Sequence, residues 1–229
     1  MRSHTARSRG RGSRTPGFHR RGFCGTGVAL AALLVFAHPA SAADADQVAA
    51  VWRLEEFSTS YHGFTTLYQC EALESKVARI LRTLGAHESA RVRASGCELN
   101  RPSRTIFLRI TAATPVPATA ENLERDPAEK SRQELLDRLG VKRDFDPDEQ
   151  FLAEWRTFAL ARQRALRLEP GDCELLEHLR DRVFPKLGIE VVHDDVRCSP
   201  GHVPMSTPRL DVRALVKAPT PDEAPAKSE

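Results

Sequence analysis

The sequence predicts an α+β protein made of two tandem strand–helix–strand–strand repeats. We expect a pseudo-twofold axis to relate the repeats, with their helices on one face of an antiparallel or mixed sheet. Three observations lead to this fold class. The chain contains an internal repeat, each copy carries an apolar stripe at helical spacing, and each copy ends in a run that alternates between apolar and polar residues.

The internal repeat relates residues 47–85 to residues 150–188 at a constant offset of 103, with 11 of 39 positions identical. The match needs no gap, and it includes both tryptophans and two of the cysteines. Because such rare residues coincide in one register, duplication explains the match better than chance. The identical pairs are Gln47/Gln150, Ala50/Ala153, Trp52/Trp155, Arg53/Arg156, Cys70/Cys173, Glu71/Glu174, Leu73/Leu176, Glu74/Glu177, Arg79/Arg182, Leu84/Leu187 and Gly85/Gly188.

Each copy begins with a segment that contains a tryptophan. In the second copy, "AEWRTFAL" around Trp155 indicates a strand by its aromatic and β-branched content. The matching "AAVWRLEEF" around Trp52 is ambiguous between helix and strand.

A helix follows in each copy and begins at a cysteine, Cys70 or Cys173. Gly85 and Gly188 lie where a left-handed C-cap would end each helix. Pro185 predicts that the second helix kinks or ends a turn early, because proline removes a backbone hydrogen bond. The apolar stripes are Leu73, Val77, Ile80, Leu81 and Leu84 in the first copy, and Leu176, Leu179, Val183, Phe184 and Leu187 in the second.

Two strands complete each copy. "ARVRAS" and "IEVVHDD" follow the glycines as short strands. "RTIFLRITA" and "RLDVRALVK" then alternate apolar and polar residues, which is typical of a strand with one buried face.

Four cysteines follow the predicted export signal described below: Cys70, Cys97, Cys173 and Cys198. Four cysteines allow three pairings. Duplication favours Cys70 with Cys97 and Cys173 with Cys198, because each copy can form that bridge alone. Each bridge would close a loop of about 25 residues, a stabilisation of roughly 3 kcal/mol on the chain-entropy model.

The first 42 residues are typical of a secretory signal peptide. Seven arginines precede the apolar run "FCGTGVALAALLVF", and Ala40-Ser41-Ala42 forms an A-x-A cleavage site. The arginine pair in "RRGF" leaves the twin-arginine route open beside ordinary secretion. Removal of this segment would change the net charge from +3 to about −4, so the basic precursor is no argument for nucleic-acid binding. We therefore predict a periplasmic or secreted protein with no membrane span after cleavage.

The predicted organisation has five parts. These are a signal peptide at 1–42, repeat 1 at 43–115, a linker with a short helix at 116–146, repeat 2 at 147–217 and a disordered tail at 218–229. The linker is rich in proline, alanine and charge, and its helix is expected around Leu135, Leu136 and Leu139, with Gly140 as its stop.

Taken together, "YQCEALESKVARILRTLGA" with "VRASGC", and "GDCELLEHLRDRVFPKLGIEVV" closed by "VRC", give the chain a distinctive cysteine framework. In this framework it resembles a group of exported bacterial proteins with two tandem cysteine-stapled copies. The resemblance covers roughly residues 45–217 and implies export and the two-copy design. That group has no established activity, so the resemblance implies no functional residue.

Few residues suggest chemistry. Each predicted helix begins with two glutamates, Glu71 with Glu74 and Glu174 with Glu177. Their negative charges are favourable near the positive end of the helix dipole, and acid–base catalysis is the alternative role. In "HDD" at 193–195, adjacent strand residues point to opposite faces, so we expect a solvated turn. Cys198 and His202 have a C-x3-H spacing that would suit zinc, but two further ligands are not evident.

The residues repeated around the two tryptophans are the candidate binding anchors: Trp52, Arg53, Trp155 and Arg156. They would serve either as a packing anchor or as a binding hot spot. The sequence has no H-E-x-x-H, nucleophile elbow, glycine-rich phosphate loop or calcium loop.

We therefore predict an exported envelope protein that acts as a non-catalytic binding or structural module. No catalytic, cofactor-binding or metal-binding residue is assigned, and no cofactor is expected. The expected partner is an envelope protein or a cell-wall component, not nucleic acid. The alternatives are a hydrolase with its site in the cleft between the repeats, and a periplasmic carrier of a metal or small ligand. A hydrolase would require polar residues in one copy where the other is apolar.

Overall fold

The computed structural model describes residues 47–98, 101–124, 127–140, 146 and 149–219. One six-stranded sheet has the strand order β2-β3-β1-β4-β6-β5, and every neighbouring pair is antiparallel. The strands are β1 Gln47–His62, β2 Arg91–Ser95, β3 Thr105–Pro117, β4 Phe151–Ala159, β5 Glu190–Asp194 and β6 Leu210–Lys217. The predicted α+β class is confirmed, and the sheet is antiparallel instead of mixed.

Four α-helices accompany the sheet in the described part of the chain. They are α1 Cys70–Thr83, α2 Ala120–Leu123, α3 Pro127–Arg138 and α4 Cys173–His178. Short 3₁₀ helices occupy Leu160–Arg162, Arg164–Leu166 and Pro170–Asp172. None of the helices described is long and apolar enough to cross a bilayer. The predicted signal peptide and the tail from residue 220 onward lie outside the described residues.

The ambiguous segment around Trp52 is a strand, because it forms part of β1 in the middle of the sheet. β1 pairs with β3 from Ala50 to His62, and it pairs with β4 only from Gln47 to Ala50. We call β1, α1, β2 and β3 the first half and β4, α4, β5 and β6 the second half.

The expected irregularity at Pro185 is present. α4 passes into a π-helical turn, Leu179–Val183, and then into a 3₁₀ helix, Phe184–Leu187, that contains the proline. Gly85 and Gly188 have φ angles of 93° and 67°, as left-handed C-caps require. Because a Cβ on Gly85 would lie 2.7 Å from the carbonyl oxygen of Leu215, this position also needs glycine for a close backbone contact.

The main core lies between the sheet and the helices. It combines the buried alternate residues of β3 and β6, such as Ile106 and Val212, with the apolar faces of the helices, such as Leu73 and Leu176. A smaller cluster lies around Trp52 and the β1–β4 junction. Its strand residues alternate with those of the main core, so it lies on the other face of the sheet.

Between the halves, β3 continues to Pro117, two residues into the segment predicted as linker. α3 ends just before Gly140, as expected, but Leu135 and Leu139 remain 57% and 67% exposed.

Both favoured disulfides are present. Cys70–Cys97 and Cys173–Cys198 have Cα–Cα distances of 5.9 and 5.7 Å. Each tethers the start of a helix, α1 or α4, to the segment that follows β2 or β5. The two bridges indicate an oxidising, exported compartment.

Candidate functional site

A cavity of about 550 Å³ opens where the two halves meet. Its size is within the range of small-molecule sites, about 300–1,000 Å³. Hydroxyl, imidazole, carboxylate and guanidinium groups face this one space. The lining residues are Thr59, Ser60, His62 and Phe64 from the first half, and Glu174, Glu177, His178, Asp181, Arg182, Cys198 and Pro200 from the second.

The cavity exists because β1 loses its neighbour on one side. Beyond Ala50 this edge of β1 has no strand partner among the described residues, and α4 contacts β1 instead. Side chains from both faces of β1, such as Thr59 and Ser60, therefore reach the same space around the open edge.

Glu174 fixes the loop that forms the rim of the cavity. Its side chain is buried, and its carboxylate accepts hydrogen bonds from the backbone N–H groups of Phe64, at 2.8 Å, and Thr65, at 3.0 Å. The Thr65 hydroxyl donates a further bond to Glu174 Oε1 at 3.0 Å. Glu174 thus binds the loop after β1 to the second half, a role that the helix-dipole argument did not predict.

A second buried carboxylate, Asp172, also connects the halves. Its side chain is 2% exposed and accepts bonds from Lys76 Nζ at 2.7 and 2.8 Å, from the Tyr68 hydroxyl and from the backbone N–H of Glu169 at 2.7 Å. Burial, with the negative charge of Asp172, raises the pKa of the Tyr68 hydroxyl. The hydroxyl therefore stays protonated and donates to the carboxylate.

His178 lies between the halves at the base of the cavity. Its Nε2 is 3.3 Å from the Thr59 hydroxyl, and its ring meets that of Tyr61 edge to face at 5.7 Å. Burial is the main reason that the pKa of His178 falls to about 4, with smaller contributions from Arg182 and His62. The imidazole is therefore neutral at neutral pH.

Two charged residues of the cavity, Asp181 and Arg182, differ in their ion pairs, and Asp181 is held by the neighbouring Arg180. Arg180 bonds to Asp181 at 2.6 Å and to Asp194 at 3.0 Å, and its guanidinium lowers the pKa of Asp181. Arg182 is exposed and forms no ion pair with any residue that the structure describes. Arg182 is thus the cation available to a ligand.

The four predicted binding anchors lie away from this cavity. Trp52 is buried, with its ring 4.7 Å from that of Phe151, and Trp155 is covered by the Arg213 guanidinium at 4.7 Å. Arg53 pairs with Glu55 at 3.2 Å, and Arg156 pairs with Glu154 at 3.6 Å. Each of the four residues thus has a partner within the protein, by ring packing or by an ion pair. A role of these residues in binding stays a prediction.

The structure also describes the two remaining groups of candidate residues. His193 lies near the end of β5, and its Nε2 is 2.7 Å from Oδ2 of Asp195, which follows the strand. Both side chains are exposed, as expected, while Asp194 between them pairs with Arg180. Cys198 is oxidised in a disulfide, so it is no thiolate partner for His202 in a zinc site. Within the described ranges, no three His, Cys, Asp or Glu side chains are grouped so as to hold a metal ion.

Sequence reasoning singled out Glu174, Glu177 and Cys198 among the cavity residues but missed the others, including Thr59 and His178. At the aligned positions, His178 stands opposite Ser75 and Asp181 opposite the buried Ala78. At Asp181 the second copy is therefore polar where the first is apolar, which is the difference expected of a site present in only one copy.

Comparison of the chain with protein-family models, with curated proteins and with solved structures finds no match.

Proposed function

We propose that the protein is an exported, duplicated binding module that holds a sugar-sized polyhydroxylated ligand in the cavity between its two copies. The cavity itself carries this proposal, because polar groups from both halves line it. An envelope location and a cell-wall glycan as the source of the ligand are part of the same proposal.

The pairing of the two central strands supports duplication with a pseudo-twofold axis. Ala49 pairs with Leu152, and these residues are separated by the repeat offset of 103. The pairs on either side, Val48 with Ala153 and Ala50 with Phe151, exchange under the same offset. A twofold axis through the Ala49–Leu152 pair would produce this register. The strand order β2-β3-β1-β4-β6-β5 has the same symmetry, with β1, β2 and β3 equivalent to β4, β5 and β6.

The chemistry of the lining favours a ligand with several hydroxyl groups. Carboxylates of Glu177 and Asp181 accept hydrogen bonds from such groups, and the Arg182 guanidinium donates them. Phe64 is 59% exposed at the rim and offers an apolar surface to one face of a sugar ring. Most of the lining residues are polar, unlike the predominantly apolar lining usual for small-molecule sites, and this difference favours a ligand rich in hydroxyl groups.

A hydrolase is the second candidate, and the Thr59–His178 pair is the observation that favours it. A hydroxyl within 3.3 Å of an imidazole is the arrangement of a nucleophile and its base. A general base works best when its pKa is near the operating pH, whereas the pKa of His178 is lowered to about 4. Binding without catalysis is therefore the better-supported function. Hydrolysis of a nitrophenyl glycoside that Thr59→Val abolishes would favour the hydrolase instead.

The two copies provide a matched test of the cavity. Arg182 lines the cavity, while Arg79, its counterpart at the same repeat position, is exposed on α1 and does not. We expect calorimetry with N-acetylglucosamine, galactose and galacturonate to detect binding of at least one sugar. Arg182→Ala should weaken it about tenfold, the loss of one charged hydrogen bond, and Arg79→Ala less than about twofold. Equal weakening by both variants, or no binding of any of the three sugars, would contradict the proposal.

A further inference from the structure

The face of the first half opposite the main core carries a polar and cationic surface. Alternate residues of β2, β3 and β1 are side by side on this face, because residues paired across antiparallel strands point the same way. Three rows follow from the strand register: Ser95, Phe107 and Ser60; Arg93, Arg109 and Ser58; Arg91, Thr111 and Glu56. We call these nine residues the sheet platform. The residues between them, such as Ile106, Leu108 and Val92, are buried in the core.

The middle row places two arginines directly opposite each other. Arg93 and Arg109 are paired across β2 and β3, both are exposed, and neither forms an ion pair with a described residue. Like charges in this position destabilise a sheet. The folded protein thus retains a repulsive pair of charges at an exposed position, where many other side chains would be tolerated. An anion bound between the two guanidinium groups removes the repulsion.

An aromatic ring stands next to this pair. Phe107 is 56% exposed, and its ring packs over Gly96, where an added Cβ would lie 3.2 Å from it. The backbone of Gly96 thus supports the ring from beneath and leaves its other face to solvent. The hydroxyls of Ser95 and Ser60 flank the same ring in the register.

The platform has the length of a polymer site. From Thr111 to Phe107 the strand advances by roughly 14 Å, at about 3.4 Å per residue. Along that length the platform presents Arg91, then Arg93 with Arg109, and then Phe107. Arg91 and Glu56 each have a partner within the structure, so the two central arginines are the cations that matter for binding.

We propose that the sheet platform binds an anionic polysaccharide, with carboxylate groups on Arg93 and Arg109 and a sugar ring against Phe107. Charge complementarity selects an anionic polymer. The two disulfides indicate an oxidising, exported compartment, and we take a polysaccharide, not a nucleic acid, as the anionic polymer that the protein meets there. Ser60 belongs to the platform and also lines the cavity, so a chain on the platform leads toward the cavity. This inference goes beyond the cavity and does not depend on it.

Polygalacturonate is a suitable probe, because each of its units carries one carboxylate. We expect immobilised polygalacturonate to retain the full-length exported protein, and neutral dextran not to. The double variant Arg93→Glu/Arg109→Glu should weaken binding at least about tenfold, and Phe107→Ala about threefold or more. Affinity should fall as salt rises, since binding releases counterions from the polymer.

A control variant separates the platform from net charge. Arg79→Glu/Arg138→Glu changes two exposed arginines on α1 and α3 and alters the net charge equally. It should weaken binding less than about twofold. Equal weakening by both double variants, or no retention on polygalacturonate, would overturn the proposal. Tighter binding to a single-stranded DNA oligomer than to polygalacturonate would overturn the choice of a polysaccharide. If Arg93→Glu/Arg109→Glu does not fold, Arg109→Gln is compared with Arg79→Gln, which changes the net charge equally, and weaker binding is expected for Arg109→Gln.

Discussion

Removal of the Glu174 carboxylate tests how the halves are held together at the cavity rim. Glu174→Ala deprives the backbone N–H groups of Phe64 and Thr65 of their acceptor. Each unsatisfied donor costs roughly 1–3 kcal/mol when it stays buried. Because Phe64 is 59% exposed, water can reach part of this loop, and we place the total near 3 kcal/mol of unfolding free energy. For a domain of this size that lowers the melting temperature by roughly 6–12 °C.

Glu71 is the matched control for this variant. It occupies the same repeat position as Glu174 at the start of α1, but its side chain is exposed. Glu71→Ala loses an interaction with the helix dipole of only about 0.3–1 kcal/mol and gains helix propensity in return. We expect a net change below about 0.5 kcal/mol.

The assay is urea unfolding of the oxidised protein, followed by fluorescence and circular dichroism. Amide hydrogen exchange adds a local measurement, because the N–H groups of Phe64 and Thr65 should lose protection in Glu174→Ala before the core strands do. If Glu174→Ala and Glu71→Ala differed by less than about 0.5 kcal/mol, the hydrogen bonds of Glu174 would not hold the rim loop.

Three other predictions concern the interior. Replacing Cys173 and Cys198 by serine opens a loop with a sequence separation of 25 and should lower the free energy of unfolding by about 3.5 kcal/mol on the chain-entropy model. An unchanged urea midpoint would contradict this. Lys76→Met leaves the buried Asp172 without its cation and should lower the free energy of unfolding by about 3 kcal/mol. This is near the lower limit for a broken buried ion pair, because the Tyr68 hydroxyl and the Glu169 N–H still donate to Asp172. A loss below about 1 kcal/mol would show that the pair contributes little. The free energy of unfolding should fall as pH drops from about 6.5 to about 4, because His178 is protonated in the unfolded chain while its lowered pKa keeps it neutral in the fold. The loss is at most about 3 kcal/mol, since solvent at the cavity reduces it. An equally steep loss in His178→Gln would show that His178 is not the cause.

The order of strands and helices could be predicted because its signals are local. Alternation around Ile106 and Leu108 identifies a strand wherever that strand lies, and Pro185 disrupts a helix in any context. The disulfide pairing could be predicted because duplication favours the bridge that each copy can form alone. The Trp52 segment was ambiguous, since its pattern fits two periods and only pairing with both β3 and β4 decides between them.

The candidate site could not be predicted because it depends on tertiary geometry. Thr59 and His178 are 119 residues apart, and nothing in either local pattern indicates that the β1 edge faces α4. The first-turn position of Glu174 fits a helix dipole equally well, so its bonds to the loop at 64–65 were missed. Comparison of the two copies was the remaining signal, since Asp181 and Ala78 differ in polarity at equivalent positions.

Chemical-shift mapping tests the central claim, that the cavity between the halves is the ligand site. A ¹⁵N-labelled sample of the exported protein would be titrated with the sugar that binds most tightly in calorimetry. The account predicts that the largest changes in backbone shifts occur at 59–64 and 174–182, with little change at the equivalent helix positions 71–79. Changes that are largest at 71–79, or that are spread evenly over both copies, would contradict it.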